Sequence, residues 1–364
     1  MHRVLLLGAG KIGRAIASYL SAAGDYELTV CDSSDAGVAS LSGLARVKAR
    51  KLDVSSDSAL VEAVKGHDAV VSALPYQFNR HVIPATLAAG VSYFDLTEDV
   101  AHTEAVRAAA ANARPGQVFM PQCGLAPGFV GICGNHLAKE FDRLDEVRLR
   151  VGALPLHPAN PLKYNLTWST DGLINEYGQP CKAIVNGRLH TDIVPLEGYE
   201  RFSLEGVEYE AFNTSGGVGD LCETYAGKVR NLDYKTVRYP GHRDLMAFLM
   251  NDLQMNADRP TLKRIFEHAI PNTDQDKVLI FCMVKGWIGD RYLQVTDVRK
   301  VKHGQFFGVP STAIQITTAA GIMACLDLHF AGKLPKQGFV RQEDVDLDAF
   351  LANRFGKAYA NKED

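Results

Sequence analysis

The sequence has little of what metal centres and disulfide frameworks require. Its 7 cysteines are scattered and odd in number, and none falls in a CxxC spacing. Its 11 histidines form no pairs at metal-ligand spacing, and the HExxH motif is absent. These absences argue against a disulfide-stapled secreted domain and against a zinc cluster. We therefore expect reduced cysteines, a cytoplasmic location and no metal ion.

Strong charge and long apolar runs are also scarce. The formal net charge is −3, and the densest basic run covers only residues 299–302. An apolar strand pattern begins within a few residues of Met1, and no long uncharged apolar run follows it. We therefore expect neither a nucleic-acid nor a membrane partner, and no signal peptide. With 364 residues and 46% hydrophobic content, the chain can form two domains.

The clearest motif lies in the first dozen residues. The apolar run 4–7 leads into Gly8-Ala9-Gly10-Lys11-Ile12-Gly13, which has the spacing GxGxxG, and an alanine-rich helical pattern follows. Here the first glycine permits a tight exit from the strand, the second leaves space for a pyrophosphate, and the third lets the helix pack on the sheet. The free N–H groups of that helix, from Lys11 and Ile12 onward, would bind the phosphates. The motif alone could be a simple turn, but its context favours dinucleotide binding.

A second predicted strand, residues 26–32, ends in a carboxylate. Asp32 follows the glycines by about twenty residues, the spacing of the acid that accepts hydrogen bonds from a ribose 2′-hydroxyl. A carboxylate there repels a 2′-phosphate, so Asp32, with Ser33 beside it, predicts NAD in preference to NADP. The alternative is that Asp32 only caps the turn after it.

Strands and helices then alternate as far as residue 121. Further strands are predicted at 47–54, 68–74, 92–96 and 117–121, and helices at 58–65, 78–89 and 100–112. This alternation predicts a doubly wound parallel sheet of the Rossmann type. Ligands bind beyond the carboxyl ends of the strands in such sheets. The loops at those ends supply the remaining predicted cofactor contacts: Asp53, Val54, Ala73, Leu74, Pro75, Leu125 and Ala126.

The pattern changes after Phe129, where alternating strands and longer polar loops begin. Strands are predicted at 147–151, 164–170, 183–188, 209–214, 233–239, 276–286 and 292–301, with turns at 186–187 and 289–290. They indicate an inserted α+β domain on a mostly antiparallel sheet. A helix at 311–328 is expected to pack back on the nucleotide domain. The predicted domains are therefore 1–125, 126–310 and a returning segment at 311–364, frayed at 361–364.

Several segments together resemble the saccharopine dehydrogenase-like family: the glycine motif and residues 71–76, 124–128 and 164–173. Within the family, residues 211–217 and 234–242 are most similar to the short bacterial L-lysine 6-dehydrogenases. The resemblance implies that the inserted domain binds substrate and forms homodimers. It also implies NAD-dependent oxidation of the lysine ε-amine to a 6-semialdehyde, which cyclises to piperideine-6-carboxylate in lysine catabolism.

An amine dehydrogenase must position the reacting carbon against the nicotinamide, keep the amine neutral and admit water to the imine. Three side chains at the carboxyl edge of the sheet are candidates for polarising the amine or guiding water: Tyr76, Asp95 and Glu98. Tyr76 would also contact the substrate. Asp95 could instead cap the helix that follows it.

The other end of lysine carries an α-carboxylate, which requires an arginine or several N–H donors. We expect Arg238 and His242 to bind it. Trp168, Asn213 and Thr214 would line a small polar pocket. Trp168 could equally be a core aromatic residue, and Arg238 could be a structural ion-pair partner.

Two other functions stay open at this point. The first is a saccharopine, opine-type or carboxynorspermidine dehydrogenase that acts on a secondary amine. Saccharopine carries an additional glutamate moiety, so its binding would require further arginines such as Arg188, Arg201 or Arg243. The second is a regulator that binds NAD without turnover.

Overall fold

The computed structural model describes residues 1–360, which divide into two compact units. The first unit comprises Met1–Gly128, Gly304–Ser311 and Gln315–Ala358. The second comprises Phe129–His303, Thr312–Ile314 and the chain from Tyr359. The frayed end that the sequence predicts at 361–364 lies outside the described residues.

Strands and helices alternate through the first 120 residues. In chain order they are β1 (His2–Leu7), α1 (Lys11–Ala23), β2 (Tyr26–Asp32), α2 (Asp35–Ala39), β3 (Val47–Lys51), α3 (Asp57–Val64), β4 (Ala69–Ser72), α4 (Asn79–Ala89), β5 (Ser92–Asp95), α5 (Val100–Ala110) and β6 (Val118–Met120). Strands β1, β2, β4, β5 and β6 contribute side chains to a common core, in which Leu5, Val70 and Phe119 are fully buried. The alternation is the one that the sequence predicts.

The second unit contains the elements from Phe129 to Lys302. These are α6 (Phe129–Ala138), β7 (Arg143–Pro155), α7 (Thr170–Gly178), β8 (Cys181–Val185), β9 (Arg188–Ile193), β10 (Glu200–Leu204), β11 (Val207–Asn213), α8 (Leu221–Tyr225), β12 (Asn231–Arg238), α9 (His242–Ala247), α10 (Arg259–Ala269), β13 (Asp276–Ile288) and β14 (Arg291–Lys302). The main sheet has the order β10-β11-β12-β7-β13-β14, and the β8–β9 hairpin joins it at β12. Only β7 and β12 pair in parallel, so the mostly antiparallel sheet is confirmed.

The chain then continues with β15 (Gly304–Phe306), β16 (Val309–Ser311), α11 (Ala313–Phe330), β17 (Gly338–Phe339) and α12 (Leu347–Ala352). The first unit's parallel sheet has the order β17-β6-β5-β4-β1-β2-β3. Because β1 pairs with both β2 and β4, the strand order reverses there and creates a switch point. Ligands bind at such a point in doubly wound sheets. The predicted Rossmann-type sheet is thus confirmed, with the two-residue β17 as an addition.

The expectation that the chain lacks a long apolar run is corrected by α11. This helix has 18 residues and a mean hydropathy of 1.3, so by length and composition alone it could cross a membrane. In the structure 72% of it is buried, as in the core helix of a soluble protein. A Cβ at Gly321 would lie only 2.5 Å from the Gly124 carbonyl oxygen. Glycine therefore allows α11 to pack against the loop that follows β6.

The strand predicted at 164–170 is wrong. Residues 164–169 form no strand, and α7 begins at Thr170, where the Ser169 hydroxyl accepts a hydrogen bond from the Gly172 N–H at 3.1 Å. The alternating apolar residues that suggested a strand, Tyr164 and Leu166, instead pack into a core cluster with helices of the second unit. The strand predicted at 183–188 is also corrected, because it covers the turn between β8 and β9.

Candidate active site

The glycine motif forms a tight turn between β1 and α1. Gly8 has φ 95°, and a Cβ at Gly13 would lie 2.0 Å from the Gly8 carbonyl oxygen. A Cβ at Gly10, in contrast, would have no atom within 4 Å. Gly10 is the N-cap of α1 and no side chain caps the helix, whose first residues are Lys11 and Ile12. This cradle, with open space at Gly10 and a helix N-terminus beside it, fits a pyrophosphate.

The Asp32 side chain hydrogen-bonds to the backbone of the turn between β1 and α1 and so lies beside the same cradle. Its Oδ2 accepts a hydrogen bond from the Ala9 N–H at 2.7 Å, and its Oδ1 accepts from the Ser34 N–H and hydroxyl, each at 2.8 Å. Burial opposes ionisation of Asp32, but these hydrogen bonds outweigh it and hold the pKa of the carboxyl below its usual value. The carboxylate therefore stays charged and fixed at the end of β2. Ser33 beside it is exposed.

The other predicted cofactor contacts also lie in the first unit. Asp53 closes its own turn after β3, because its Oδ1 accepts from the Ser55 N–H at 2.9 Å and the Ser55 hydroxyl at 2.7 Å. The rest follow the carboxyl ends of β3, β4 and β6: Val54 is buried, Ala73 and Leu74 half-buried, Pro75 exposed, Leu125 buried and Ala126 half-buried. All of these residues lie at the edge of the sheet where a dinucleotide would bind, and their contacts with the cofactor stay predictions.

Asp95 is enclosed by hydrogen-bond donors from its own unit, and its catalytic role stays a prediction. Its side chain is 0% exposed. It accepts hydrogen bonds from the Tyr93 hydroxyl at 2.7 Å, from the Thr97 N–H at 2.9 Å and from the Gln122 N–H at 3.1 Å. His102 Nε2 lies 2.8 Å from its Oδ2. With its oxygens enclosed in this way, Asp95 connects the loop after β5 to the loop after β6.

Glu98 and Tyr76 have better access. Glu98 is half-buried on the loop after β5, and burial is the main cause that raises its pKa to about 7, with Asp99 and Asp95 adding to the rise. A carboxyl group with that pKa can accept a proton near neutral pH. Tyr76 is half-buried in a short 3₁₀ turn after β4, the neighbouring strand. The helix cap after this edge is Asp99, which accepts from the His102 N–H at 2.7 Å.

The second unit contains a buried arginine at the end of β12. Arg238 is 2% exposed, and its Nε donates to the Tyr177 hydroxyl at 2.9 Å while its Nη1 donates to the Val237 carbonyl at 2.8 Å. Its guanidinium carbon lies 5.1 Å from the centre of the Tyr164 ring. The Tyr177 and Tyr164 hydroxyls and the Glu176 carboxylate hold the pKa of Arg238 above its usual value, against the effect of burial. A structural role for Arg238 therefore stays an alternative to carboxylate binding.

His242 does not have the role that the sequence suggested. Its Nδ1 lies 2.8 Å from the Leu162 carbonyl and its Nε2 lies 3.1 Å from the Tyr177 hydroxyl. Burial, with a contribution from Arg238, lowers its pKa to about 3. The ring is therefore neutral: Nδ1–H donates to Leu162, and Nε2 accepts from Tyr177. No ring N–H remains for a carboxylate, and His242 instead positions Tyr177 against Arg238.

Of the other predicted pocket residues, Trp168 and Asn213 donate hydrogen bonds within the protein, whereas the Thr214 hydroxyl makes none among residues 1–360. Trp168 is half-buried, packs against the helical core and donates from Nε1 to the Tyr164 hydroxyl at 3.1 Å, which matches the core alternative. Asn213 Nδ2 donates to the Val194 carbonyl at 3.3 Å and anchors a loop. The buried Thr214 hydroxyl has no hydrogen-bond partner within the described chain.

Two further buried polar atoms lie nearby in sequence and lack partners within residues 1–360. They are the Thr167 hydroxyl and Asn165 Oδ1, both in the loop that leads to α7. Buried polar atoms are rarely left without a hydrogen bond unless a ligand or water completes them. The loop before α7 and the chain after β11 therefore indicate a site for a polar ligand.

Sequence reasoning missed Tyr177 and Glu176. Both lie in α7, and the sequence analysis ended its predicted strand at residue 170 and assigned no element to the residues that follow, so the helix and these two residues were not recognised. The signal was present in the sequence as Ser169-Thr170-Asp171, a helix-start pattern.

The described cysteines and histidines give no metal centre. All seven cysteines lie within residues 1–360, and each is buried and outside any disulfide. Within residues 1–360, no group of three His, Cys, Asp or Glu side chains is arranged to hold a metal ion.

The parallel sheet, its switch point and the open glycine cradle define the first unit as a nicotinamide-dinucleotide-binding domain of the Rossmann type. Residues 4–120 match the saccharopine dehydrogenase NADP binding domain, and residues 124–357 match the saccharopine dehydrogenase C-terminal domain. The chain therefore belongs to the saccharopine dehydrogenase family, whose members are amino-acid oxidoreductases.

This chain matches the individual relatives over only part of their length. The NADP-dependent, L-glutamate-forming saccharopine dehydrogenases of Schizosaccharomyces pombe and Saccharomyces cerevisiae are 27% and 28% identical over 52% of this chain and 43% of theirs. Mouse mitochondrial alpha-aminoadipic semialdehyde synthase is 24% identical over 56% of this chain and 24% of its own. The matches thus span less than half of these relatives. The apo structure of the S. cerevisiae saccharopine dehydrogenase shares the fold, with a TM-score of 0.75, 16% identity and coverage of 98% and 96%.

Proposed function

We propose that the protein is an NAD-dependent L-lysine 6-dehydrogenase of lysine catabolism. The product is the 6-semialdehyde, which cyclises to piperideine-6-carboxylate. The observation that carries the proposal is Arg238, a buried cation at the end of β12 whose guanidinium is oriented by the Tyr177 hydroxyl. Such a cation supports binding of an anionic group, here the α-carboxylate of lysine.

The positions of three other arginines favour lysine over saccharopine. Arg188 and Arg201 are exposed on β9 and β10. Arg243 is half-buried, and its Nη1 lies 3.3 Å from Asp244 Oδ1. The exposed positions of Arg188 and Arg201 argue against their use as partners for the additional carboxylates of saccharopine. Arg243 has a buried Nε without a hydrogen-bond partner in residues 1–360, so it is the one of the three that the saccharopine alternative would use.

The reaction requires a group that takes a proton from the substrate amine, and we propose that this group lies in the first unit. NAD, when bound, would supply the hydride acceptor for oxidation at C6 of lysine, and hydrolysis of the resulting imine by water would release ammonia. Glu98, with its pKa of about 7, is proposed to take the proton from the ε-ammonium group, so that C6 carries a neutral amine. Tyr76, one strand away, is proposed to orient the amine or the water.

The rate should therefore rise with pH in two steps. The carboxyl of Glu98 is protonated below its pKa of about 7, so activity falls as the pH falls through this value. A second rise should follow toward the pKa of free lysine's ε-amine, about 10.4. The measurement is kcat/KM for lysine from pH 6 to pH 10. Glu98→Gln should remove the lower step, whereas Glu104→Gln, on the exposed side of α5, should keep it; a lower step that survives in Glu98→Gln contradicts the assignment.

The choice of NAD rests on charge at the end of β2. Asp32 is ionised and fixed there, and the nearby cation Lys51 is already paired with Asp35, its Nζ 2.8 Å from Oδ2. A 2′-phosphate would meet a negative charge, whereas a 2′-hydroxyl can donate to it. This chain is therefore proposed to differ from relatives whose names specify NADP.

Asp32→Ser should narrow the preference for NAD over NADP. Loss of one charge-assisted hydrogen bond corresponds to roughly 1.5–3 kcal/mol, or about ten- to a hundredfold in NAD affinity. Dissociation constants for NADH and NADPH measure it. Glu27→Gln, an exposed position on the same strand, serves as the control. A wild-type enzyme that prefers NADP would contradict the assignment.

A panel of amines tests the proposal as a whole. NADH formation is measured with lysine, ornithine, saccharopine and carboxynorspermidine. Lysine alone as a good substrate supports the proposal, saccharopine alone supports the secondary-amine alternative, and tight NADH binding without any turnover supports a regulator. A cytoplasmic homodimer that forms through the second unit's sheet is part of the same proposal, and sedimentation of the purified protein tests the dimer.

A further inference from the structure

The Asp95 carboxylate lies at the centre of a buried network at the carboxyl edge of the first unit's sheet. Its Oδ1 accepts hydrogen bonds from two backbone N–H groups, those of Thr97 at 2.9 Å and Gln122 at 3.1 Å. Its Oδ2 accepts one from the Tyr93 hydroxyl at 2.7 Å and lies 2.8 Å from His102 Nε2. Asp95 and all four partners are buried. One side chain therefore connects β5, α5 and the loops that follow β5 and β6.

The Oδ1 side of this network fixes the segment that carries Glu98. The residue before Glu98 is Thr97, whose N–H is bonded to Asp95 and whose hydroxyl accepts from the Asp99 N–H at 3.2 Å. The residue after Glu98 is Asp99, which caps α5 by accepting from the His102 N–H at 2.7 Å. Both neighbours of Glu98 are thus anchored by contacts that begin at Asp95. The half-buried position of Glu98 follows from where they are held.

The same oxygen of Asp95 fixes the loop after β6. Gln122 has φ 62°, a left-handed conformation that a residue other than glycine adopts at an energetic cost. Such a conformation persists where the surrounding contacts determine it. Here the Gln122 N–H donates to Asp95, and its side-chain Nε2 donates to the Thr103 hydroxyl at 3.1 Å. The loop continues into Leu125 and Ala126, so Asp95 connects the segment of Glu98 to the segment that is predicted to contact the cofactor.

We propose that Asp95 is a positioning residue, whose Oδ1 holds Glu98 and the loop after β6 in fixed places relative to each other. Asp95 then acts on the reaction through Glu98 and exchanges no proton with the substrate. Its Oδ2 has a supporting role, because the contacts with Tyr93 and His102 fix the orientation of the carboxyl group. The inference deepens the proposed function and rests on it, since it takes Glu98 as the proton acceptor, but the placement of Glu98 is measurable without turnover.

Two substitutions at Asp95 separate the shape of this network from its charge. Asp95→Asn removes the charge but keeps a side-chain oxygen, which can accept from the Thr97 and Gln122 N–H groups. Asp95→Ala removes that acceptor as well. If Asp95 positions Glu98, asparagine should therefore replace it and alanine should not. If Asp95 instead exchanges a proton with the substrate, both variants should fail alike, because neither side chain can carry that proton.

The titration of the Glu98 carboxyl group reports its placement. Burial is the main cause that raises its pKa to about 7; Asp99 and Asp95 add to the rise, and its own backbone N–H and His102 oppose it. Asp95→Asn should lower this pKa by less than about one unit, since the loop stays in place and one negative charge is lost. Asp95→Ala should lower it toward about 4.3, the ordinary value of glutamate, because a released loop exposes Glu98 to water. The pKa is measured on the full chain by NMR with 13C-labelled glutamate carboxyl groups, and Glu98→Gln identifies the signal.

Steady-state kinetics with lysine give a second readout. At pH 9, Asp95→Asn should keep kcat within about threefold of wild type, whereas Asp95→Ala should lose at least about tenfold, since a displaced base no longer reaches the amine. Asp348→Asn and Asp348→Ala are matched controls at an exposed position on α12. Both should leave kcat and the Glu98 signal unchanged. Circular dichroism and thermal unfolding establish that each variant is folded.

Asp95→Asn decides the matter even if Asp95→Ala fails to fold. Retained kcat together with a small fall in the Glu98 pKa supports positioning, whereas a loss of kcat of about tenfold or more overturns it. When both variants fold, equal Glu98 titrations or equal losses of kcat in the two would also overturn it.

The NMR titration separates this inference from the proposed reaction. If no amine is oxidised but alanine shifts the Glu98 signal far more than asparagine does, the reaction fails and this inference stands. If lysine is oxidised but the Glu98 signal is the same in wild type and Asp95→Ala, the reverse is true. A wild-type Glu98 that titrates near the ordinary glutamate value would overturn the inference and leave the reaction to another base.

Discussion

Arg238→Ala is expected to raise the KM for lysine strongly, with a loss of about 2–5 kcal/mol in transition-state stabilisation. The reason is that the guanidinium is buried and oriented by Tyr177, so a carboxylate that enters the cluster would lose this fixed cation. Steady-state kinetics with lysine measure the effect. Cadaverine, which lacks the carboxylate, should be a poor substrate of the wild type and should lose little further in the variant.

Arg201→Ala is the matched control, because it removes the same charge from an exposed position on β10, which is separated from β12 by β11 in the same sheet. Its KM for lysine should stay near the wild-type value. If Arg238→Ala loses turnover of lysine and cadaverine equally, the carboxylate assignment is wrong. Arg238 would then act through the folding of the second unit, and its thermal unfolding temperature should show the loss.

Gly10→Val is expected to abolish cofactor binding and leave the fold intact. A Cβ at Gly10 would enter open space within the cradle, where a pyrophosphate would lie, and not the protein core. The measurement pairs NADH titration by fluorescence with thermal unfolding. Gly10→Val should show no NADH binding and a wild-type unfolding temperature. Unchanged affinity would show that the motif is only a turn.

Valine variants at two other glycines serve as comparisons for Gly10→Val. A Cβ at Gly13 would lie 2.0 Å from the Gly8 carbonyl, so Gly13→Val should lower stability as well as binding. A Cβ at Gly304 would meet nothing within 4 Å, and Gly304→Val should therefore keep both properties. The three variants separate loss of the ligand's space from loss of helix packing.

The local pattern of the sequence was sufficient to predict the alternating strands and helices of the first unit. Strands with apolar side chains, a glycine motif of defined spacing and a carboxylate at the end of the next strand predict β1, α1 and β2 together with the role of each glycine. This works because backbone conformation and close approach are local properties. Even so, the sequence analysis assigned Asp95 to catalysis, since nothing local shows that Tyr93, Thr97 and Gln122 enclose its carboxylate.

In the second unit, the secondary structure and the candidate site depended more on tertiary contacts than on local sequence pattern. The alternation of Tyr164, Leu166 and Trp168 is consistent with a strand, but those side chains bury against helices in a loop instead. The sequence alone identified Arg238 as a cation suited to a carboxylate. Only the fold shows that His242 is neutral and supports Tyr177, and that Glu176 shares the cluster. Protonation and charge pairing depend on burial and on residues more than sixty positions apart in the chain, such as Tyr177 and His242, and no sequence pattern records those distances.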